Sequence, residues 1–152
     1  MKKLALVILL LTTTSVLFAQ NMNDSMYDAV VKGESVAVKE FIQRGVDVNL
    51  IIKQGFVETN LIITAVYNKN ADILNILLRN GGDVDLDDGF GATALMYAVS
   101  NTQVELVKIL LEHNADPNLK DKTGNNAFSN AKKVRSKEIT KLLEATKSTG
   151  VQ

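Results

Sequence analysis

Thirty-three residues separate Ala65-Val66-Tyr67-Asn68 from Ala98-Val99-Ser100-Asn101, and the stretches that follow stay in register. Ile73-Leu74-Asn75-Ile76-Leu77-Leu78 falls on Leu106-Val107-Lys108-Ile109-Leu110-Leu111, and Gly81-Gly82-Asp83-Val84-Asp85 falls on Asn114-Ala115-Asp116-Pro117-Asn118. An upstream copy runs from Ala29-Val30 through Ala37-Val38-Lys39-Glu40-Phe41-Ile42 to Gly45-Val46-Asp47-Val48-Asn49. It lies 36 residues ahead of the second, so the loop joining them is three residues longer. A degraded fourth copy places Ala131 thirty-three residues after Ala98, continues through Ile139-Thr140-Lys141-Leu142-Leu143 and ends in a polar tail. A unit this short cannot bury its own apolar face, so the copies must stack and share a core.

Within each unit, apolar residues recur at three- and four-residue spacing before a Gly or Asn, which predicts a short helix, a longer helix and an extended loop. The chain's single proline leaves room for that much helix. Gly45, Gly81 and Asn114 suit a left-handed residue closing the second helix. Asp24, Asn60, Thr93 and Asn126, each five residues ahead of the repeat alanine, suit caps on the first.

These units resemble ankyrin repeats. Thr93-Ala94-Leu95-Met96-Tyr97-Ala98 stands in place of Thr-Pro-Leu-His-x-Ala and Asn114-Ala115-Asp116-Pro117-Asn118 in place of Gly-Ala-Asp-x-Asn, and the resemblance covers nearly all of residues 24–146. The Pro and His are absent throughout, and the glycine between the helices survives only as Gly33, becoming Lys69 and Thr102. Those losses are expected to loosen the turn. The resemblance implies an all-α solenoid of about four helix-turn-helix units with projecting loops. The repeats fall at about 24–56, 57–89, 90–122 and 123–147 of a domain spanning 20–147, with a polar tail at 148–152. A terminal repeat needs a polar outer face, which Lys132, Lys133, Lys137, Lys141 and Lys147 supply.

Residues 1–19 differ in kind. Met1-Lys2-Lys3 is basic, Leu4 to Leu11 is continuously apolar, and Thr12 to Ser15 is hydroxylic before Val16-Leu17-Phe18-Ala19, the order of a secretory signal peptide. Its apolar span of about 15 residues is short for a hydrocarbon core of about 30 Å, which favours cleavage near Ala19 over a retained anchor. The mature chain keeps 15 basic residues against 17 acidic, a formal charge of −2, so no nucleic-acid partner is expected. The absence of cysteine rules out disulfides, thiolate chemistry and a lipoprotein anchor. Expected is an exported protein, periplasmic or secreted, monomeric alone and with no stable membrane anchor once the signal is removed.

Catalytic groups are scarce. His113, the only histidine, falls near the end of a second helix, where a cation suits the helix terminus, and Ser25, Ser35, Ser100 and Ser129 have no other base to activate them. The aspartates of 83–89 alternate as in a calcium loop, but that loop needs glycine sixth and glutamate twelfth, where this sequence has Asp88 and Ala94. The basic stretch from Lys132 to Lys147 is interrupted by Glu138 and Glu144 and has no interleaved aromatics. No enzyme activity, cofactor or metal is expected.

The resemblance implies instead that the chain binds another protein with its first helices and its loop tips, at 51–58, 87–92 and 120–125. Thr64, Tyr67 and Asn68, then Tyr97, Ser100 and Asn101, would share that side. The first tip is too apolar for an idle loop, and Phe90 adds an aromatic at the second. The candidate protein-binding residues are therefore Ile51, Ile52, Phe56, Val57, Tyr67, Phe90, Tyr97 and Asn101. The alternative is that Ile51, Ile52, Phe56 and Phe90 pack on one another to stiffen adjacent loops, with Tyr67 and Tyr97 as buttresses. Two roles fit such a surface: an adaptor or inhibitor that protects or occludes another exported protein, or a secreted effector that binds a host protein.

Overall fold

The computed structural model describes residues 20–55 and 57–148. The expected signal peptide at 1–19, Phe56 and residues 149–152 lie outside the described residues. Eight helices follow one another in pairs among those described: α1 (20–32) with α2 (Ser35–Gln43), α3 (Leu61–Tyr67) with α4 (Ala71–Arg79), α5 (Ala94–Ser100) with α6 (Val104–Glu112), and α7 (Ala127–Val134) with α8 (Lys137–Ser148). Helices α3, α5 and α7 stack in one column, and α2, α4, α6 and α8 in a second. Helix α1 meets the first column at α3, where the Asn68 side-chain amide donates to the Val31 carbonyl at 3.4 Å. This is the expected helical solenoid, with one addition. Where the chain is three residues longer it forms an antiparallel hairpin, β1 (Ile51–Gln54) with β2 (Val57–Asn60), and Gly55 takes the turn at φ +65°.

The starts of α3, α5 and α7 are each set by a local side chain. Asn60, Thr93 and Asn126 accept hydrogen bonds from the amides of Ile63, Met96 and Ser129, and Ser129 answers Asn126 to complete a capping box. Asp24 does not cap. The chain is already helical at residue 20, and Asp24 lies inside α1, accepting from the Gln20 side-chain amide at 3.2 Å. Gly45, Gly81 and Asn114 all sit at positive φ, as expected, and the next amide in each case donates back to Phe41, Leu77 or Leu110.

The repeat alanines have two uses. Ala29, Ala65, Ala98 and Ala131 are all buried, small enough for the columns to close. The carbonyls of the first three accept the bond that ends each first helix, from Glu34, Asn70 and Gln103. That bond needs a left-handed residue just before the donor. Gly33 supplies it in the first unit, and Lys69, Thr102 and Arg135 are forced into the same conformation at φ 55°, 56° and 57°. The turn is kept where the glycine is lost, at the cost of strain, which is greatest for β-branched threonine. Thr102→Gly should therefore raise the unfolding free energy by about 1 kcal/mol, the relief being partly offset by the greater freedom of an unfolded glycine. A urea melt whose midpoint does not move would show that the turn holds no strain.

One core runs through the stack. The inner first helices α3 and α5 are enclosed nearly all round, with Leu61 to Val66 of α3 all buried, whereas α4 buries one stripe of Ile73, Leu74, Leu77 and Leu78. At the C-terminal end, Ile139 and Leu143 of α8 face inward while Lys132, Lys133, Lys137 and Lys141 are exposed, the polar cap expected of a last repeat.

Candidate protein-binding groove

The loops that frame the groove are built by their own aspartates. Asp47, Asp83 and Asp116, in the same place in successive units, accept from the amides two residues on, at 2.8, 3.0 and 2.8 Å. Asn49 then ties the first unit to the second, its carbonyl accepting from the Asp83 amide at 2.7 Å and its NH2 donating to the Gly81 carbonyl at 3.1 Å. Asp85 repeats half of this, accepting from the Asp116 amide at 3.0 Å. Its carboxyl is held above the usual 3.8 chiefly by burial, against the pull of that amide, with the Asp116 and Asp83 charges adding to the rise.

Stability contributed by a raised acid is fully present below its ordinary value and lost as pH climbs through the displaced one. Asp85→Asn should therefore raise the melting temperature by a few degrees at neutral pH and remove this part of the acid-side slope. The asparagine would also regain the donor that Asn49 has. Parallel pH–stability curves for the two proteins would count against this account.

At the second tip, Asp88 is buried, with one oxygen accepting from the amides of Phe90 and Ala92 at 2.9 and 3.1 Å and the other from the Tyr97 hydroxyl at 2.6 Å. Burial, then that hydrogen bond, drives the Tyr97 hydroxyl far above its ordinary range, so it remains a donor. Asp121 does the same work one unit on, where the Thr123 hydroxyl and the Thr123 and Asn125 amides hold its carboxyl below the usual range. The two tips lie side by side. The Lys122 amide donates to the Phe90 carbonyl at 2.9 Å, and Gly91 at φ +80° lets the backbones meet, because a Cβ there would sit 3.0 Å from the Asp121 Cα. The first hairpin closes the frame: buried Asn60 donates to the carbonyls of Leu86 and Asp87 at 3.0 and 3.3 Å, and the Glu58 side chain lies against Gly89.

Between these tips and the first helices runs a groove of about 510 Å³. All three tyrosines of the chain, Tyr27, Tyr67 and Tyr97, line it together with Phe90 and Val31. Tyr67 and Phe90 are 55% and 54% exposed, and the Tyr67 ring stands 4.9 Å from Tyr97 at a 47° tilt. The tyrosines do not occupy equivalent repeat positions. Tyr67 follows its repeat alanine by two residues and Tyr97 precedes its own by one, so the two rings meet across the join between units.

Of the candidate binding residues, Tyr67, Phe90 and Tyr97 come together here. Ile51 and Ile52 do not. They line a separate hollow of about 300 Å³ with Gln20, Asn23 and Asp24 of α1, where Ile51 is 50% exposed and Ile52 packs partly against the core. The idea that both isoleucines pack on Phe90 is thus corrected: they line a hollow that Phe90 does not share, and the hairpin gives the groove Glu58 and Thr59 instead. Val57 lies in β2 opposite Gln54, and its side chain, like all of Phe56, falls outside the described residues. Asn101 caps the C-terminus of α5 and is exposed, away from the groove lining. Of the other positions placed on this side, Asn68 and Thr64 line the groove, Thr64 largely buried with its hydroxyl donating to the Asn60 carbonyl, and Ser100 is exposed.

The repeat pattern does not single out Tyr27, Val31 or Glu58, which the fold brings to the groove. A signal exists for Val31, which shares Tyr67's position two residues after the repeat alanine. A larger hollow, about 740 Å³ between α2 and α4, is lined by Lys39, Asp72 and Arg79 with only Ile42 and Ile76 as apolar side chains, and lacks an aromatic anchor. Among the described residues, no three His, Cys, Asp or Glu gather as metal ligands and no helix is long and apolar enough to cross a membrane.

A family model described as ankyrin repeats (3 copies) matches residues 25–121 and again 61–149. No curated protein matches the chain.

Proposed function

The chain belongs to the ankyrin-repeat family, a protein-interaction module, and on that premise we propose that it is exported and holds one protein partner in the tyrosine groove, without catalysing a reaction. The observation that carries this is the gathering of every tyrosine of the chain with Phe90 on one open surface. Aromatic side chains left half exposed on a rigid frame are the usual anchors of protein interfaces, and here the frame is fixed by Asp88, Asn60 and the paired tips.

Export is supported by the basic, apolar and hydroxylic order of residues 1–19. The role that follows is an adaptor or inhibitor of another periplasmic protein, the chain being monomeric until it binds. Tagged protein recovered from its native cell envelope should bring down one protein in stoichiometric amount, identified by mass spectrometry. Recovery with no stoichiometric partner would defeat the binding role, and turnover of a substrate by the purified chain would defeat the non-catalytic one. Mature protein found outside the cell rather than in the periplasm would shift the role to a secreted effector on the same surface.

A further inference from the structure

We infer that the groove takes an arginine presented by a loop of the partner protein, an inference that rests on the groove being the binding surface. Two of its lining side chains, Glu58 and Asp88, are carboxylates, and none is a cation. The half-exposed rings of Tyr67 and Phe90 line the same groove. A cation over such a ring is drawn by the negative charge of its face, and a planar guanidinium can stack on it while bonding a carboxylate. The Phe90 ring already has this relation to the chain's own Lys122, whose Nζ lies 5.1 Å from its centroid, yet the ring stays 54% exposed.

The two acids play different parts. The oxygens of Asp88 are taken by two amides and the Tyr97 hydroxyl, so it supplies field rather than contact. Glu58 is the available acceptor. Its Oε1 pairs with Lys53 Nζ at 2.7 Å, but the Lys53 side chain is 69% exposed, and a surface pair of this kind is worth little. An incoming guanidinium can take the place of Lys53 at small loss. Lys53 is thus an internal competitor for the partner's cation.

The chain has three tyrosines, all in the groove, and no tryptophan, so its intrinsic fluorescence reports on this surface alone. Titrating the purified protein with an end-blocked Gly-Arg-Gly peptide should give a saturable change that Gly-Gln-Gly does not. Glu58→Gln should weaken the arginine peptide about two- to fivefold, and Lys53→Ala should tighten it by a similar factor, the range expected of exposed charges. A gain on losing Lys53 cannot come from misfolding. Equal responses to the two peptides, no saturation with the arginine peptide, or weaker binding in Lys53→Ala would each overturn the inference. If the arginine peptide fails while the envelope partner still depends on Tyr67 and Phe90, the groove binds protein by another chemistry and only the arginine is wrong. If the envelope partner ignores Tyr67 and Phe90, the groove is not its surface and the inference falls with that reading.

Discussion

Asp88→Ala should lower the unfolding free energy by about 2–4 kcal/mol, because it strips three donors of a charged acceptor at once. The carboxylate, 7% exposed, joins the Phe90 and Ala92 amides of its own tip to the Tyr97 hydroxyl of α5. Its loss leaves the hydroxyl without its partner and frees the tip that carries Phe90. Two controls divide the effect. Tyr97→Phe removes a single bond and should cost about 1–2 kcal/mol, and Asp88→Asn, which keeps one acceptor in place, should fall between. Chemical unfolding followed by circular dichroism checks all three, and a loss under about 1 kcal/mol for the alanine variant would mean that water replaces the network. The same geometry predicts an alkaline limb. Since Tyr97 is raised above the phenol value of 10.0, the stability it lends is complete below that pH and drains away as pH rises from there towards the displaced value. Tyr97→Phe should remove that part of the limb.

Tyr67→Ala combined with Phe90→Ala should weaken the complex with the envelope partner by about 2–4 kcal/mol, roughly thirty- to a thousandfold, the span of two aromatic anchors that do not add fully. Folding should suffer far less. Both rings are about half exposed, at 55% and 54%, and the packing they give up is chiefly that of the Tyr67 ring on Tyr97, worth about 1 kcal/mol. Calorimetry with the captured partner gives the first number and thermal melting the second. Unchanged affinity would remove the groove as the site. A melting temperature that collapses while affinity per folded molecule holds would make the rings buttresses of the tips, the alternative that the sequence leaves open.

Much of the fold is legible in the sequence because it is written in short-range chemistry. A cap needs its acceptor within three residues of the amide it receives, so Asn60, Thr93 and Asn126 declare themselves. Asp24 has the same chemistry in the same place, yet the helix runs past it, because a cap acts only where the helix actually starts. The left-handed turn behaves in the opposite way. With its glycine gone the turn is expected to loosen, but closure onto the carbonyls of Ala65 and Ala98 forces Lys69 and Thr102 into the glycine conformation.

The site is legible only in part. Tyr67, Phe90 and Tyr97 stand out as aromatics on the right elements, while Ile51 and Ile52 are drawn in by apolarity alone. The way the hairpin lies across the stack brings its Glu58 and Thr59, rather than its isoleucines, to the groove.

By itself, then, the sequence determined the period, the four helix pairs, the caps of three first helices and the left-handed closures of the second helices at Gly45, Gly81 and Asn114, because each depends on residues within a few positions of one another. Tertiary structure decided what the units jointly present. Tyr67 and Tyr97 hold different places in their repeats and meet only because one unit stacks on the next at a particular offset, and Asp88 finds the Tyr97 hydroxyl by the same closure. A surface assembled across the joins between units is a property of the stacking, and no single unit contains it.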